Sequence, residues 1–318
     1  MREGLNLYDM DALVALRSAV RASLSKFSPG DLILIAVSGG ADSLALAAAS
    51  KLEADKLTLR LLGVTVDHQL QSGSDIQAET VTKQLSFPCV IEKVHVEITD
   101  GLEASARRAR YQALEKVAKE HGAVAVLLGH TKDDQAESVL LGLARGSGAR
   151  SLSAMASESG IYIRPFLSIT RAQTLAACAE LNLKPWHDPH NDDLNFLRVR
   201  VRKNVLPVME SELGPGISDA LVRSANLLRD DADALDKLAA DFWREDQSLS
   251  ISALESLPKA IRTRVLRIAL FEKGVAQLSA DQIGQVDALI SNWKGQGEVS
   301  LPSGVKVSRI SGRLTLSN

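Results

Sequence analysis

Residues 31–50 read DLILIAVSGGADSLALAAAS, and the parsing of this stretch decides the fold. Leu32, Ile33, Leu34, Ile35, Ala36 and Val37 form a continuous apolar run, the pattern of a strand buried on both faces of a parallel sheet. Ser38-Gly39-Gly40-Ala41-Asp42-Ser43 follows as a tight turn, and Leu44 onward reads as a helix. Two adjacent glycines allow backbone dihedrals closed to other residues and let a ligand approach the chain closely. Free amide groups at the start of such a helix suit a phosphate. A plainer reading is that Ser38, Asp42 or Ser43 only caps the helix. The lysine-bearing phosphate loop GxxxxGK[ST] is absent, because no Lys follows the glycines.

Working outward, Met10, Leu13, Leu16, Val20 and Leu24 step by three and four and predict a helix before this strand. After it, a second strand is expected over 59–66, ending at Asp67-His68, and a third within 89–98, where Val90, Glu92, Val94, Val96 and Ile98 alternate. A helix over 101–121 leads to the apolar strand 123–128, closed by Gly129-His130, and to a helix from Thr131. A short strand over 162–166 and a helix over 171–181 complete the series. This βα alternation predicts an α/β fold with a doubly wound, mostly parallel sheet. Ligands of such sheets bind beyond the carboxyl ends of the strands, so the turn at 38–43, Asp67-His68 and Gly129-His130 are expected to face one crevice.

Beyond Pro207 the pattern changes, with Gly214, Pro215 and Gly216 interrupting the periodicity. Residues 1–210 are read as a nucleotide-binding catalytic domain and 211–318 as a smaller, mostly helical C-terminal domain. Its helices are expected over 218–243, 258–271 and 279–293. Alternation of Val299, Leu301, Val305, Val307, Leu314 and Leu316 predicts a terminal β-hairpin.

The chain has 318 residues, 45% hydrophobic and 24% charged, enough for two domains with real cores. It carries acidic residues early, no signal-type apolar segment and no run as long as a membrane span, so a cytoplasmic protein without membrane association is expected. Two cysteines, Cys89 and Cys178, far apart and outside any CxxC, argue against a disulfide framework, a zinc cluster or an iron–sulfur site. A net charge of −2 excludes a uniformly basic coat and leaves room for a local basic patch.

Three clusters carry candidate chemistry. His130-Thr131-Lys132-Asp133-Asp134-Gln135-Ala136-Glu137 concentrates acid at a helix start, where Asp133 or Asp134 shares a face with Glu137. Such carboxylates hold a magnesium ion bridging phosphates, or bind and deprotonate an ammonium nucleophile; a single acid there would only complement the helix dipole. Arg107, Arg110 and Tyr111 fall near one side of a helix, suited to phosphate or equally to a solvated basic face. In FLRVRVRK, helical spacing of Leu194, Leu197, Val201 and Val205 aligns Arg198 with Arg202 and turns Arg200 away. No acid compensates within that run, so an anionic partner is expected there.

SGGADS resembles the SGGxDS signature of the PP-loop ATP pyrophosphatases, of adenine nucleotide α-hydrolase-like fold, which cleave ATP between its α and β phosphates. With VDHQLQSGSD, EASARRARY, GHTKDDQAES, LGLARGSGARSL, RPFLSITR, DPHNDD and FLRVRVRKNVLP in that order, residues from Ile33 to Pro207 resemble the tRNA(Ile)-lysidine synthetases, in their short form. The resemblance implies a two-step ligation on the wobble cytidine of an isoleucine tRNA with anticodon CAU. ATP adenylates the oxygen on carbon 2 of the cytosine, and the ε-amine of L-lysine then displaces AMP to give lysidine. It further implies that Ser38, Gly39, Gly40, Ala41, Asp42 and Ser43 hold ATP, with Asp67, His68 and Gly129 lining the nucleotide pocket. Asp42 and Asp133 are the candidate Mg2+ ligands. Arg107 with Arg198 or Arg202 would neutralise phosphate charge, Asp134 and Glu137 would bind the lysine ammonium, and His130 would serve phosphate or proton transfer. A homodimer is an open expectation.

Two positions depart from the family pattern: Gln71 stands where Arg is usual after VDHxL, and Val199 replaces Asn in RNRIR. Two other readings stay open, a PP-loop enzyme with a different acceptor and a nucleotide- or RNA-binding module without catalysis. A module of that kind would not need the acidic cluster at 133–137.

Overall fold

The computed structural model describes residues 7–69, 73–99, 101–146, 148–275 and 278–317, with side chains from Ala12 onward. Gln71 lies outside the described residues. The chain separates into one compact unit, Met1–Ala225, and a second, Asn226–Asn318.

In the first unit the order is α1 (Leu7–Leu24), β1 (Leu32–Ala36), α2 (Ala41–Leu57), β2 (Arg60–Asp67), α3 (Ser74–Lys83), β3 (Cys89–Lys93), α4 (Leu102–His121) and β4 (Ala125–Leu127). There follow α5 (Lys132–Ala144), α6 (Ala149–Leu152), β5 (Glu158–Ser159), β6 (Tyr162–Ile163), α7 (Arg171–Glu180), α8 (Leu197–Arg200) and α9 (Leu206–Glu212). The six strands run β3-β2-β1-β4-β6-β5, all pairs parallel except β5 with β6.

Apolar cores cover both faces. Ile33 and Ile35 of β1 join Leu16, Leu44 and Phe166 in one core, while Leu32 and Leu34 join Leu114, Val117 and Val126 in the other. Successive side chains of a strand point to opposite faces, so the unbroken apolar run is what two covered faces require.

Four sequence expectations need correction here. The third strand stops at Lys93, because β2, which it pairs with, ends with Asp67 opposite Lys93; Val94 N–H to Asp67 O, at 2.9 Å, is the last such bond. Residues 94–98 alternate in sequence without a partner strand. Helix α3 is an element that the periodicity does not predict. Gly40 has φ −70, an ordinary value, so only Gly39, at φ +88, uses the glycine-specific region. Finally, the residues around Pro207 are helical: α8 continues through a π turn, Val201–Val205, into α9. Proline removes a donor and clashes with the carbonyl four residues back, and the wider turn accommodates both. The bond from Leu206 N–H to Val201 O closes it.

The division between the units falls inside α10 (Ile217–Glu245). The second unit holds α11 (Ile251–Glu255), α12 (Lys259–Glu272), α13 (Ala280–Ser291), β7 (Val299–Ser300), β8 (Lys306–Ile310) and β9 (Arg313–Ser317). Its sheet runs β7-β8-β9, antiparallel, so the terminal hairpin expected from sequence is two strands of a three-stranded sheet. Leu266, Val286, Leu289, Val305, Val307 and Leu314 form its core. Within this core Arg262 donates from Nε and Nη2 to Asp287 Oδ1 and Oδ2, at 2.6 and 3.3 Å, and from Nη1 to Leu257 O at 3.0 Å.

Candidate active site

The chain leaves β1 toward β2 on one side and returns to β4 on the other, so β1 and β4 flank the point where the winding reverses. Open α/β sheets bind ligands there. The 38–43 turn sits at the end of β1. A side chain on Gly39 would place Cβ 2.5 Å from Val81 Cγ2, and Gly39 O accepts from Trp186 N at 2.9 Å, so this glycine is required by both its dihedrals and its neighbours. A Cβ on Gly129, just past β4, would come within 3.1 Å of the Asp42 carbonyl. Gly129 therefore lets the end of β4 press against the turn.

The capping reading of the turn is not what the structure holds. Gly40 is the N-cap of α2 and no side chain caps it. Ser43 Oγ accepts from Ser38 N at 3.2 Å and donates to Gly40 O at 2.9 Å, closing the turn on itself. The amides of the first turn of α2 thus face outward without a side-chain cap, the arrangement that receives phosphate. Asp42 faces the other way, accepting from Thr174 Oγ1 and from Arg171 Nε. Burial raises its pKa, against the pull of Arg171 and Thr174.

Asp134 and Glu137 of α5 are buried, at 8% and 0% exposure. Asp134 Oδ2 accepts from Thr131 N and Oγ1 at 2.8 and 3.1 Å, fixing the carboxylate at the helix start. Its Oδ1 has two long ion-pair contacts, 3.6 Å to Arg171 Nη2 and 3.9 Å to Arg202 Nη2. Glu137 receives Arg202 Nε at 2.6 Å and Nη2 at 3.2 Å, and Arg198 Nε stands 2.9 Å from its Oε2. Arg198 also donates to Ser138 Oγ at 2.9 Å. Arg200 turns away to the carbonyls of Leu194 and Asn195. Asp133, by contrast, accepts from the backbone N of Arg171 at 2.8 Å and so points to the start of α7.

Burial pushes the pKa of Asp134 up, but the Thr131 amide, Arg171, His130 and Arg198 outweigh it, and the net shift is downward. His130 is pushed down to about 3, by burial first and by Arg110, Arg164 and Arg107 against Asp134. His68 is lowered as well, by burial and then Arg110. Near neutral pH both imidazoles are uncharged, and Nδ1 of each is buried without a partner.

The positive charges of Arg107, Arg110 and Arg164 act on His130, and that of Arg110 also on His68. The Nε atoms of Arg110 and Arg164 are buried without partners, and burial lowers the pKa of Arg110. Beside the turn lies a cleft of about 600 Å³ whose walls include Ser38, Asp67, His68, Trp186, Phe196 and Arg202. Two of the three expected strand ends line it; Gly129 instead meets the turn through backbone.

Sequence reasoning left Arg164, Arg171 and Trp186 unassigned and noted Arg110 only for its position on α4. Arg171 opens a helix whose Thr170/Gln173 capping box was readable, but its partner Asp42 is 129 positions away. Among the described residues no group of three or more His, Cys, Asp or Glu side chains is arranged to hold a metal ion. Magnesium in phosphate sites takes only one or two carboxylates, the phosphates and water; Asp42 is the carboxylate of the turn, and both its oxygens are already engaged, by Thr174 and Arg171.

A parallel α/β sheet with an uncapped SGGADS turn at its winding reversal defines a PP-loop protein. The sequence matches the PP-loop domain family over residues 15–209 and the TilS substrate binding domain over residues 249–315. It is 49% identical to the tRNA(Ile)-lysidine synthase of Thermobifida fusca (strain YX) over 313 residues, 95% of this chain and 96% of that one. With the tRNA(Ile)-lysidine synthase of Streptomyces coelicolor it shares 50% identity over 298 residues, 90% and 85% of the two chains. The chain belongs to the tRNA(Ile)-lysidine synthase family. In fold it is also similar to the U34-tRNA thiolase NcsA from Methanococcus maripaludis, with TM-score 0.57 and 17% identity over 70% of this chain and 80% of that one.

Proposed function

We propose that the protein ligates L-lysine to carbon 2 of the wobble cytidine of an isoleucine tRNA with anticodon CAU, through an adenylated cytidine, releasing pyrophosphate and AMP. The observation that carries this reading is the juxtaposition of an uncapped phosphate turn with two buried carboxylates, bridged by Arg171. The relatives named for the same activity support it.

The first step joins cytosine O2 to the α-phosphate and breaks the α–β bond. Amides of Ala41 to Ser43 and the arginines Arg107, Arg110, Arg198 and Arg202 would stabilise charge developing on phosphate oxygens. Asp42 would hold Mg2+ only on release from Thr174 and Arg171, which engage both its oxygens, and Asp133 is held by the Arg171 amide; Mg2+ supplies further neutralisation when bound. In the second step the lysine amine bonds to carbon 2 as the C–O bond to AMP breaks, and the amine gives up its protons. Asp134 Oδ1 would receive the ammonium. His130, uncharged, contributes hydrogen bonding rather than charge. Asp67 and His68 would line the base pocket, with Trp186 and Phe196 as apolar walls, and residues 211–318 would hold the body of the tRNA. The cell compartment would be the cytoplasm; among the described residues no helix is long and apolar enough to cross a membrane.

The test is labelled lysine with ATP, magnesium and an unmodified CAU isoleucine tRNA transcript. ATP-dependent incorporation into the RNA is expected. Absence of incorporation, with pyrophosphate still released from ATP on another acceptor, would overturn the lysine assignment.

A further inference from the structure

Asp42, Arg171, Asp134, Arg202, Glu137 and Arg198 form a continuous chain of alternating charge. Arg171 Nη2 lies 3.3 Å from Asp42 Oδ2 and 3.6 Å from Asp134 Oδ1. Arg202 then links Asp134 to Glu137, and Arg198 completes the row. Acids and bases are equal in number, so the row as it stands offers a cationic amine little net attraction.

The links are unequal. Glu137 is held at 2.6 and 2.9 Å, whereas both contacts to Asp134 Oδ1 exceed 3.5 Å. The other oxygen of Asp134 is fixed by Thr131, so that carboxylate stays in place; of its two guanidinium partners Arg202 is tied to Glu137, and Arg171, at 3.3 Å from Asp42, is the loosely held one. A polyphosphate on the first turn of α2 arrives beside Asp42 and competes for Arg171. Arg171 meets it by giving up its longer contact, which is the one to Asp134.

We propose that Arg171 is a positioning residue that couples the two substrates: nucleotide phosphate draws it from Asp134 Oδ1, and that oxygen then takes the lysine ammonium. The inference rests on the ligase reading above and adds an order of binding to it. A linkage of this kind is reciprocal, so lysine tightens nucleotide binding by the same factor. Its size falls in the usual range for coupled sites, about 5- to 150-fold.

The experiment is calorimetric titration of L-lysine into the intact protein with and without α,β-methylene-ATP, and the converse titration. Lysine is expected to bind at least about 5-fold tighter with the analogue, with an equal factor in the converse direction. In Arg171→Met the factor falls toward one. Arg171→Lys, which keeps the charge but cannot span two carboxylates, gives the same readout if the methionine variant does not fold. Equal lysine affinity with and without the analogue in the unaltered protein overturns the proposal, as does undiminished coupling in the variants. If lysine is incorporated into tRNA without coupling, only this inference falls. If lysine neither binds under any condition nor is incorporated, the ligase reading falls with it.

Discussion

Each unit buries ion pairs, and the two sets are built differently. In the second unit Arg262 and Asp287 form a closed pair: three nitrogens of the arginine have acceptors, and Ser291 Oγ donates to Asp287 Oδ2 at 3.3 Å. In the first unit the row from Asp42 to Arg198 is open. Its middle contacts are long, and unpartnered nitrogens of His68, Arg110, His130 and Arg164 lie buried around it. An unpaired buried polar atom costs about 1–3 kcal/mol, so a fold retains several together only where something else is to be bound. The closed pair serves the fold; on the reading proposed above, the open row would keep bonding capacity for substrates.

The largest effect that would break this contrast comes from Glu137→Ala. It leaves Arg198 and Arg202 without their shared anchor, and lysine ligation is expected to fall about 1,000-fold. A steady-state rate near that of the unaltered protein would place the row outside the chemistry. Next is Arg262→Ala, which strands Asp287 in an apolar core and is expected to cost about 3 kcal/mol of stability. Denaturant unfolding measures that cost. Ligation below the transition should persist, and the paired Arg262→Met, Asp287→Leu change should restore most of the stability, since apolar replacements of a whole buried pair are often neutral. The smallest effect sharpens the comparison with a third cluster, in which a buried carboxylate meets partly exposed cations. Glu53 of α2 is held down at about pH 2, from an ordinary 4.5, by Arg21 first, against burial, and by Arg17 and Lys56. A depressed carboxylate contributes stability above its unfolded pKa and loses it as pH falls through the folded one. Glu53→Gln should therefore flatten the acid limb of stability between about pH 4.5 and 2. Because Arg21 is 55% exposed, the change should stay within about 1 kcal/mol.

The legibility of each feature in the sequence tracks the range of the interaction behind it. The strand-turn-helix of 32–57 was readable because its signals are local: an unbroken apolar run, then a glycine whose dihedrals only glycine tolerates. The alignment of Arg198 with Arg202 was readable from helical spacing. The truncation of β3 was not, because it depends on where β2 ends, and the third strand of the terminal sheet was not, because Val299–Ser300 is only two residues long. Arg171 and Trp186 were illegible for the same reason on a larger scale: what they touch, Asp42 and Gly39, is set by topology.

The π turn at 201–205 has a consequence of phase. In a regular helix, residues five apart point about 140° away from each other, given 3.6 residues per turn. Val201 and Leu206 are five apart, yet both belong to one apolar cluster with Ala136 of α5. The wide turn acts as a one-residue phase correction that returns the apolar stripe to α5 after Arg198 and Arg202 have been aimed at Glu137. Deleting a single residue from this turn would leave the rest of the segment's side chains in place in sequence and rotate α9 off its seat, so the spacing itself is part of the site's specification.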